Sequence, residues 1–465
     1  MEAPICQGCV ERDARIADLE RRVAQLEELV RQLMGKVPPP PSGSTRTKAD
    51  LPKPPAKQPS GKKAGGQPDH PPHLKKLLPI ERVTRIVPYV PTQCECCQTK
   101  LSAEAEGHDP EPTRHQVAEL PVLRAQITEH QGHYRTCPQC QHVTHVPIPA
   151  EVRGESVGPG LSALMSYLVG THHVSKRGVE EIVEEVFEVP ISLGKVSALE
   201  QEMSEALKPA FDEAVAHVRA APSKHVDETG WKKAGMKRWL WAAATQAVAV
   251  FLIHARRNLL ALQTLLGETI LGYVHSDRWK AYNEIPLEQR QLCWAHLRRN
   301  FEKWLERGEL GKATAETFLS IHDEVFKAWH LFRGGGCDRD GLMKKVAPLT
   351  VVLREMLVLV SKSKEAKLAR LCASLLELEP ALWTFVTEDG VEPTNNHGER
   401  VQRLAVLWRK CCFGCHSEAG CRFAERLLTV VQTLRLQKRS VLRYLTHALQ
   451  SHRDGQPAPQ LLPAG

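Results

Sequence analysis

No apolar run in this sequence is long enough to cross a bilayer as a helix. The nearest approach, Trp239 to Ala255 (WLWAAATQAVAVFLIHA), is short for that task and is broken by Thr245 and Gln246. Its two halves read instead as a pair of β-strands. The opening, MEAPICQGCVERD, also lacks the apolar segment of a secretory leader. These absences predict a cytoplasmic protein with no membrane partner. In that reducing setting the fourteen cysteines are expected to be metal ligands or free thiols rather than disulfides. A large charge imbalance is missing too: 62 Lys and Arg stand against 54 Asp and Glu, a net +8. With 42% hydrophobic and 25% charged residues, the 465-residue chain is not a disordered polyelectrolyte. Its length suits about three folding units. The small basic surplus is compatible with a polyanionic partner but does not require one.

A heptad runs through residues 14–34. Ile16, Val23 and Val30 take position a, and Leu19, Leu26 and Leu33 take position d. β-Branched residues at a with Leu at d favour a parallel two-stranded coiled coil, and Arg15 and Arg22 at g would face Glu20 and Glu27 at e. The stretch therefore predicts a homo-oligomer, most simply a dimer. The alternative is one amphipathic helix packed on its own protein. Residues 38–73 follow with eleven prolines and six Lys or Arg against two Asp, an extended basic linker without a core of its own. Its end, GKKAGGQPDHPPH, carries Lys62 and Lys63 beside a Gly-Gly pair, so backbone and charge can approach a DNA groove together.

Two C-x2-C pairs come next, Cys94 with Cys97 and Cys137 with Cys140. Each pair can reach one ion from a tight turn, and two such knuckles complete a tetrahedral thiolate site for one structural Zn²⁺. The runs HQVAELPV and AQITEHQGHYRT between them look like strands. Cys6 and Cys9 form an isolated third pair that reads as ordinary thiols. From Gly154 to Ala220 the pattern is helical. It then changes to three strands, a helix, a strand, a short helix and a strand, ending near His296. That order describes an α/β domain with a mixed sheet. Residues 297–390 are helical again, and two or three helices close the chain.

Three carboxylates stand out by position. Asp227 lies within the first of these strands, Asp277 ends the fourth, and Glu399 opens a helix in NNHGERVQR. Carboxylates that converge from strands and a helix can hold two Mg²⁺ or Mn²⁺ ions, which together serve phosphodiester cleavage. Each also has a plain reading: Asp277 as a helix N-cap, Asn396 to Glu399 as a variant capping box, Asp227 as a solvent-facing residue. His225 and His275 share strand faces with Asp227 and Asp277, so they either orient a ligand or are core histidines. Cys293 and His296 read as structural support beside the site. Trp231, Trp239, Trp294 and Trp408 read as core.

HVDETGW, HSDRWKAY, CWAHLRRNF and NNHGERVQR, in this order, resemble the insertion-sequence sixty-six family of bacterial DDE transposases. The resemblance covers almost the whole chain. It implies a ribonuclease-H-like catalytic core with a helical insertion before the Glu helix, and it maps the family's acidic triad onto Asp227, Asp277 and Glu399. It further implies metal-dependent cleavage at element ends by activated water, followed by attack of the freed 3′ hydroxyl on target DNA. Accessory proteins of the same element are implied as possible partners. On this basis the domains run as a coiled-coil helix (1–36), a linker with a DNA hook (37–84), a zinc unit (85–150), a helical DNA-binding or linking region (151–222), the first part of the core (223–296), the helical insertion (297–390), the core helix with Glu399 (391–437) and a C-terminal helix and tail (438–465).

The sequence departs from the family pattern in places. Gln98 and Gln141 stand where the knuckles usually carry Gly, Asp69 replaces a Gly after GGQP, Trp279 stands where Tyr is common, and CCFGCHSEAG is unusually rich in cysteine. Cys411, Cys412, Cys415 and Cys421 fit no ribbon spacing and read as free thiols. Arg298, Arg299, Arg403, Arg409 and Lys410 are candidate phosphate contacts. Glu228, on the strand face opposite Asp227, is expected to tolerate Gln. The alternative function is a transposase-derived DNA-binding regulator without catalysis, and a third reading is a nuclease or resolvase that cuts without joining.

Overall fold

The computed structural model describes residues 7–35, 77–104 and 109–462, with side chains of the first helix described over 13–28. Lys62, Lys63, Asp69 and Cys6 lie outside the described residues, as does the side chain of Cys9. The chain divides into two compact units, one of residues 1–38 with 125–465 and the other of 39–124. In the second unit the described residues hold one 3₁₀ turn (Ile80–Arg82) and a bridge between Gln93 and Lys100 across the first knuckle.

The larger unit begins with α1 (Gln7–Gly35) and resumes with a short hairpin, β1 (Tyr134–Thr136) and β2 (Val143–His145), then α2 (Ala150–Arg153). Of the two strand-like runs expected around residues 115–136, only the last three residues pair. The reason is visible in their burial. Val117, Leu120, Val122 and Ile127 are all more than three-quarters exposed, so no second layer covers an alternating face. Four helices follow: α3 (Pro159–His172), α4 (Lys176–Phe187), α5 (Leu193–Ala206) and α6 (Lys208–Ala220). Ser175 and Ser192 cap α4 and α5 by accepting the amides of Gly178 and Lys195.

The chain then builds its sheet. β3 (Ser223–Lys233), β4 (Met236–Ala244) and β5 (Ala249–His254) form an antiparallel meander. The apolar run 239–255 is thus a strand pair that turns at Thr245. A crossover through α7 (Leu259–Leu266) returns the chain to β6 (Tyr273–Ser276), parallel to β3, and β7 (Arg290–Leu292) lies parallel to β6. The strand order is β5-β4-β3-β6-β7, a mixed five-stranded sheet with β3 in the middle. Both edges are closed by side chains. The amides of Ala249, Phe251 and Ile253 donate to Thr433, Thr429 and Glu425, three residues spaced one helical turn apart. On the other edge Thr384 donates to the Arg290 carbonyl, and Gln291 accepts the amide of Phe385.

The helical insertion comprises α8 (Trp294–Glu302), α9 (Gly308–Arg333), α10 (Arg339–Ser361), α11 (Ala366–Glu377) and α12 (Pro380–Thr387). The chain ends with α13 (Asn396–Cys412), α14 (Glu418–Leu436) and α15 (Val441–Arg453). Two buried apolar clusters form, one around the sheet with α3–α7 and α13–α15, the other within the insertion. The second corrects the coiled-coil expectation. Leu19, Val23 and Leu26 of α1 are buried in it among residues of α9 and α10, and Arg15 reaches Ser320 and Glu324 of α9. Arg22 pairs with Asp18 rather than with a partner's glutamate. Over Leu19, Val23 and Leu26 the seam is covered by helices of the same chain, because an apolar stripe fixes that a helix face is covered and not what covers it; the side chains of Val30 and Leu33 lie outside the described residues.

Candidate active site

Local sequence explains how three acidic residues reach one region. Asp227 sits at the centre of the middle strand, β3. Asp277 follows the last residue of β6, the parallel neighbour in which His275 is paired with His225. Two residues beyond that pair on each strand stand Asp227 and Asp277, on the same sheet face. Glu399 lies in the first turn of α13. Each acid is thus preceded at two residues by a histidine: His225, His275 and His397. These histidines gather beneath the site. The rings of His225 and His275 stack with centroids 4.0 Å apart, and His397 lies 5.1 Å from His225. Burial lowers the pKa of all three, to about 2 for His225 and about 4 for His275, so they stand as neutral rings.

Asn395 joins this floor to the helix. It is fully buried; its Nδ2 donates to the Val226 carbonyl at 2.7 Å, its Oδ1 meets His225 Nδ1 at 3.1 Å, and its amide points at Cys293 Sγ at 3.1 Å. Asn395 occupies the N-cap position of α13 without a side-chain cap bond, so the capping-box reading does not apply. Gly398 is required by the close approach: a Cβ there would lie 2.8 Å from Asn395 Oδ1 and 3.3 Å from His225 Cβ.

Asp227 carries the clearest electrostatic signature. Burial first, then the neighbouring charges of Glu228, Asp277 and Glu399, push its carboxyl up to about 7. One turn after Glu399, Gln402 holds it. The amide is oriented so that Nε2 donates to Asp227 Oδ2 at 2.8 Å while Oε1 accepts the amides of Glu228 and Thr229 at 3.2 and 3.0 Å. The reverse orientation would aim an NH₂ at two N–H groups. Asp277 Oδ1 accepts the amide of Trp279 at 2.8 Å, and buried Arg290 donates to the Asp277 carbonyl at 2.8 Å and to Ser276 Oγ at 3.0 Å. Gln402 and Arg290 escape sequence reading, since their partners are distant in the chain or are backbone atoms.

Several expected roles change. Glu228 is not a free surface acid: it is buried, accepts Arg257 Nε at 2.6 Å and bonds the Tyr282 hydroxyl. Its neutrality as a control is therefore withdrawn. Arg299 donates to Glu399 Oε1 at 2.7 Å, Arg298 pairs with Glu302 and Asp323, and Arg409 donates to the Gly230 carbonyl at 2.5 Å. These three guanidinium groups have acceptors within the chain, although Arg299 is itself exposed, as are Arg403 and Lys410. Trp231, Trp294 and Trp408 are buried as expected, and Trp239 is partly buried.

Cys293 and His296 sit closer to the chemistry than their supporting role suggested. Among the described residues, the group whose ligand atoms all lie within 4.8 Å of one another is Cys293, His296 and Glu399. Asp277 and His296 also line one cleft of about 240 Å³ with Cys293 and Trp279. Glu399, turned toward Arg299 and His296, is thus not drawn with Asp227 and Asp277 to the spacing of a single ion's ligands. Asp277 and Glu399 nevertheless both act electrostatically on the Asp227 carboxyl. Their all-oxygen donor set suits hard divalent cations.

The knuckles, each in its own unit, share one geometry. Gln98 N donates to the Cys94 carbonyl at 3.0 Å and Cys94 N to Thr99 at 2.9 Å; Gln141 N donates to Cys137 at 2.9 Å and Cys137 N to His142 at 2.8 Å. Gln98 and Gln141 take φ of 60° and 59°, the left-handed region that favours the glycine they replace. The Thr99 hydroxyl leads in lowering the Cys97 thiol to about 7, and the Cys140 amide lowers Cys137. Both effects favour the thiolate that binds metal.

No described helix is long and apolar enough to cross a membrane. Comparison with known proteins gives similarity to two proteins of Sinorhizobium fredii. Uncharacterized protein y4hP is 25% identical over 77% of this chain and 70% of its own length. Uncharacterized protein y4qI is 26% identical over 48% of this chain and 46% of its own. The family model described as Transposase IS66 family matches residues 154–423, more than half of the chain and the whole span from α3 through the sheet, the insertion and α13. The chain therefore belongs to the IS66 family of transposases.

Proposed function

We propose that this protein cuts DNA at the ends of an insertion sequence and joins the freed 3′ hydroxyl to target DNA, with Asp227, Asp277 and Glu399 as its catalytic carboxylates. The observation that carries this reading is that Asp227 and Asp277 share one face of two parallel strands, with the Glu399 charge also reaching the half-buried Asp227, above a floor of neutral histidines. Carboxylate repulsion of this kind is relieved by bound cations. The strand order β5-β4-β3-β6-β7, with β4 antiparallel to its neighbours, supports a ribonuclease-H-like core interrupted by the insertion α8–α12.

Asp227, Asp277 and Glu399 would hold two Mg²⁺ or Mn²⁺ ions, which would supply positive charge for the entering and departing oxygens. The chain's own residues fix the geometry. Gln402 sets the Asp227 carboxylate, Arg290 and the Trp279 amide set Asp277, and Asn395 ties the start of the Glu399 helix to β3. Arg299 pairs with Glu399 and offsets part of its charge. Cys94, Cys97, Cys137 and Cys140 would share one structural Zn²⁺. The polyanion would be met by the basic linker with Lys62 and Lys63 and by exposed Arg403 and Lys410.

The test is direct. Purified protein with Mg²⁺ is given linear DNA bearing the sequences that flank its own gene, and products are resolved for end cleavage and for joining to a plasmid. Both activities are expected. Binding without cleavage would identify a transposase-derived regulator, and cleavage without joining a nuclease.

A further inference from the structure

Of the nine tryptophans, Trp279 alone is classed as exposed, at 38%. An indole that keeps more than a third of its surface exposed beside the cleft of Asp277 and His296 calls for an explanation. Its surroundings are ordered. The Arg257 guanidinium lies over the Trp279 ring at 4.0 Å and at 5.0 Å from the Trp239 ring, and Lys237 Nζ lies 4.7 Å from the Trp239 ring centroid. Arg257 is itself fixed by buried Glu228, the neighbour of Asp227. At the opposite end the Trp279 amide is bonded to the Asp277 carboxylate. Cation, indole, cation and indole thus alternate from the tip of the β3–β4 hairpin to the acidic site.

We propose that Trp279, the last indole of this row, is a stacking platform for unpaired DNA and receives the base next to the phosphate that is cut. The inference rests on reading the site as a DNA-processing centre. One ring face is occupied by Arg257, so the exposure is carried by the remaining face and edge, and Trp279 borders the cleft shared with Asp277 and His296. A nucleobase is a flat π-system of matching size, and stacking on an aromatic ring accepts any base. Exposed Lys237 adds positive charge for the phosphates of such a strand, whereas Arg257 is already paired with Glu228 and serves to hold the Trp279 ring. Duplex DNA cannot use the platform, because its bases are stacked on each other.

The experiment uses the full chain with a fluorescein-labelled oligothymidine strand and a blunt duplex, read by anisotropy. Variants are Trp279→Ala, Trp279→Leu and Trp279→Phe, each checked for an unchanged circular dichroism spectrum. Trp279→Ala and Trp279→Leu are expected to bind the single strand about tenfold more weakly, with duplex affinity changed less than about twofold, and Trp279→Phe is expected to retain most single-strand affinity. Leu keeps apolar volume without a π-face, so it decides the matter if Ala fails to fold. Single-strand affinity equal to wild type in the Leu variant, or an equal loss for both DNA forms, would overturn the stacking platform while leaving the transposase reading intact. Wild-type protein that binds neither form would overturn both.

Discussion

His225 and His275, on neighbouring parallel strands, stack with ring centroids 4.0 Å apart, and two residues beyond each stands an aspartate. The stack reports the register of β3 and β6 at the place where register matters, since a one-residue slip would send Asp227 or Asp277 to the opposite sheet face. His397 joins the same floor from α13, two residues before Glu399. Each acid is thus anchored by a buried neighbour rather than by its own contacts alone.

Gln402 is expected to matter as much for activity as for stability. Replacing it with Leu removes the donor to Asp227 and the acceptor shared by the amides of Glu228 and Thr229. DNA cleavage is expected to fall about 10–100-fold, as for other residues that orient a metal-binding group. Urea denaturation should register a loss of about 1–3 kcal/mol. Cleavage at the wild-type rate would show that Asp227 is positioned without it.

Glu228→Gln is expected to be destabilising rather than neutral. The substitution leaves Arg257 without its counter-charge in a largely buried pair and weakens the bond to Tyr282. A cost of about 2–3 kcal/mol is expected, below the full penalty of a stranded buried charge because Gln still accepts one bond. Thermal melting measures it, and an unchanged midpoint would contradict the pairing.

Much of the fold was legible in the sequence. The order of strands and helices from β3 to β7 followed from alternation and turn residues, and the acidic residues were bracketed by strand and helix-start patterns. What escaped was decided by tertiary partners. The α1 heptad fixes an apolar face, but α9 and α10 cover it within the chain. Arg298, Arg299 and Arg409 looked like free cations because their acceptors lie in other elements or on backbone carbonyls. Gln402 and Arg290 gave no signal, since neither residue type is exceptional until its neighbours are known. The 115–133 segment alternates without a covering layer, and alternation alone does not make a strand.

The knuckles test the zinc assignment and its strain together. Purified protein should contain one Zn²⁺ per chain, and Cys137→Ser should abolish it. Gln98→Gly and Gln141→Gly should each stabilise zinc retention by up to about 1 kcal/mol, because glycine takes positive φ without the penalty of a Cβ. Retention is read by release to a chromophoric chelator. Protein free of zinc would exclude the structural ion.

Glu425 makes stability depend on pH. Burial raises its pKa to about 8 despite the Arg422 ion pair at 3.0 Å, whose partly exposed guanidinium is screened by water. A carboxyl raised on folding holds its proton more tightly when folded. Its stabilising contribution is present below its ordinary pKa of 4.5 and is lost as pH rises through about 8. Wild-type protein should therefore lose on the order of a few kcal/mol between those limits relative to Glu425→Gln. Urea midpoints of both proteins across that range check the sign, and parallel profiles would contradict it.

The most direct measurement compares wild type with Asp227→Asn in one reaction containing Mg²⁺, flanking-sequence DNA and target plasmid. Asn keeps the shape and removes one ligand charge at the point where Asp277 and Glu399 converge. Cleavage and joining are expected to disappear while DNA affinity stays within about twofold, because binding rests on basic residues away from the carboxylates. Cleavage and joining by Asp227→Asn at the wild-type rate would contradict the assignment of the acidic site.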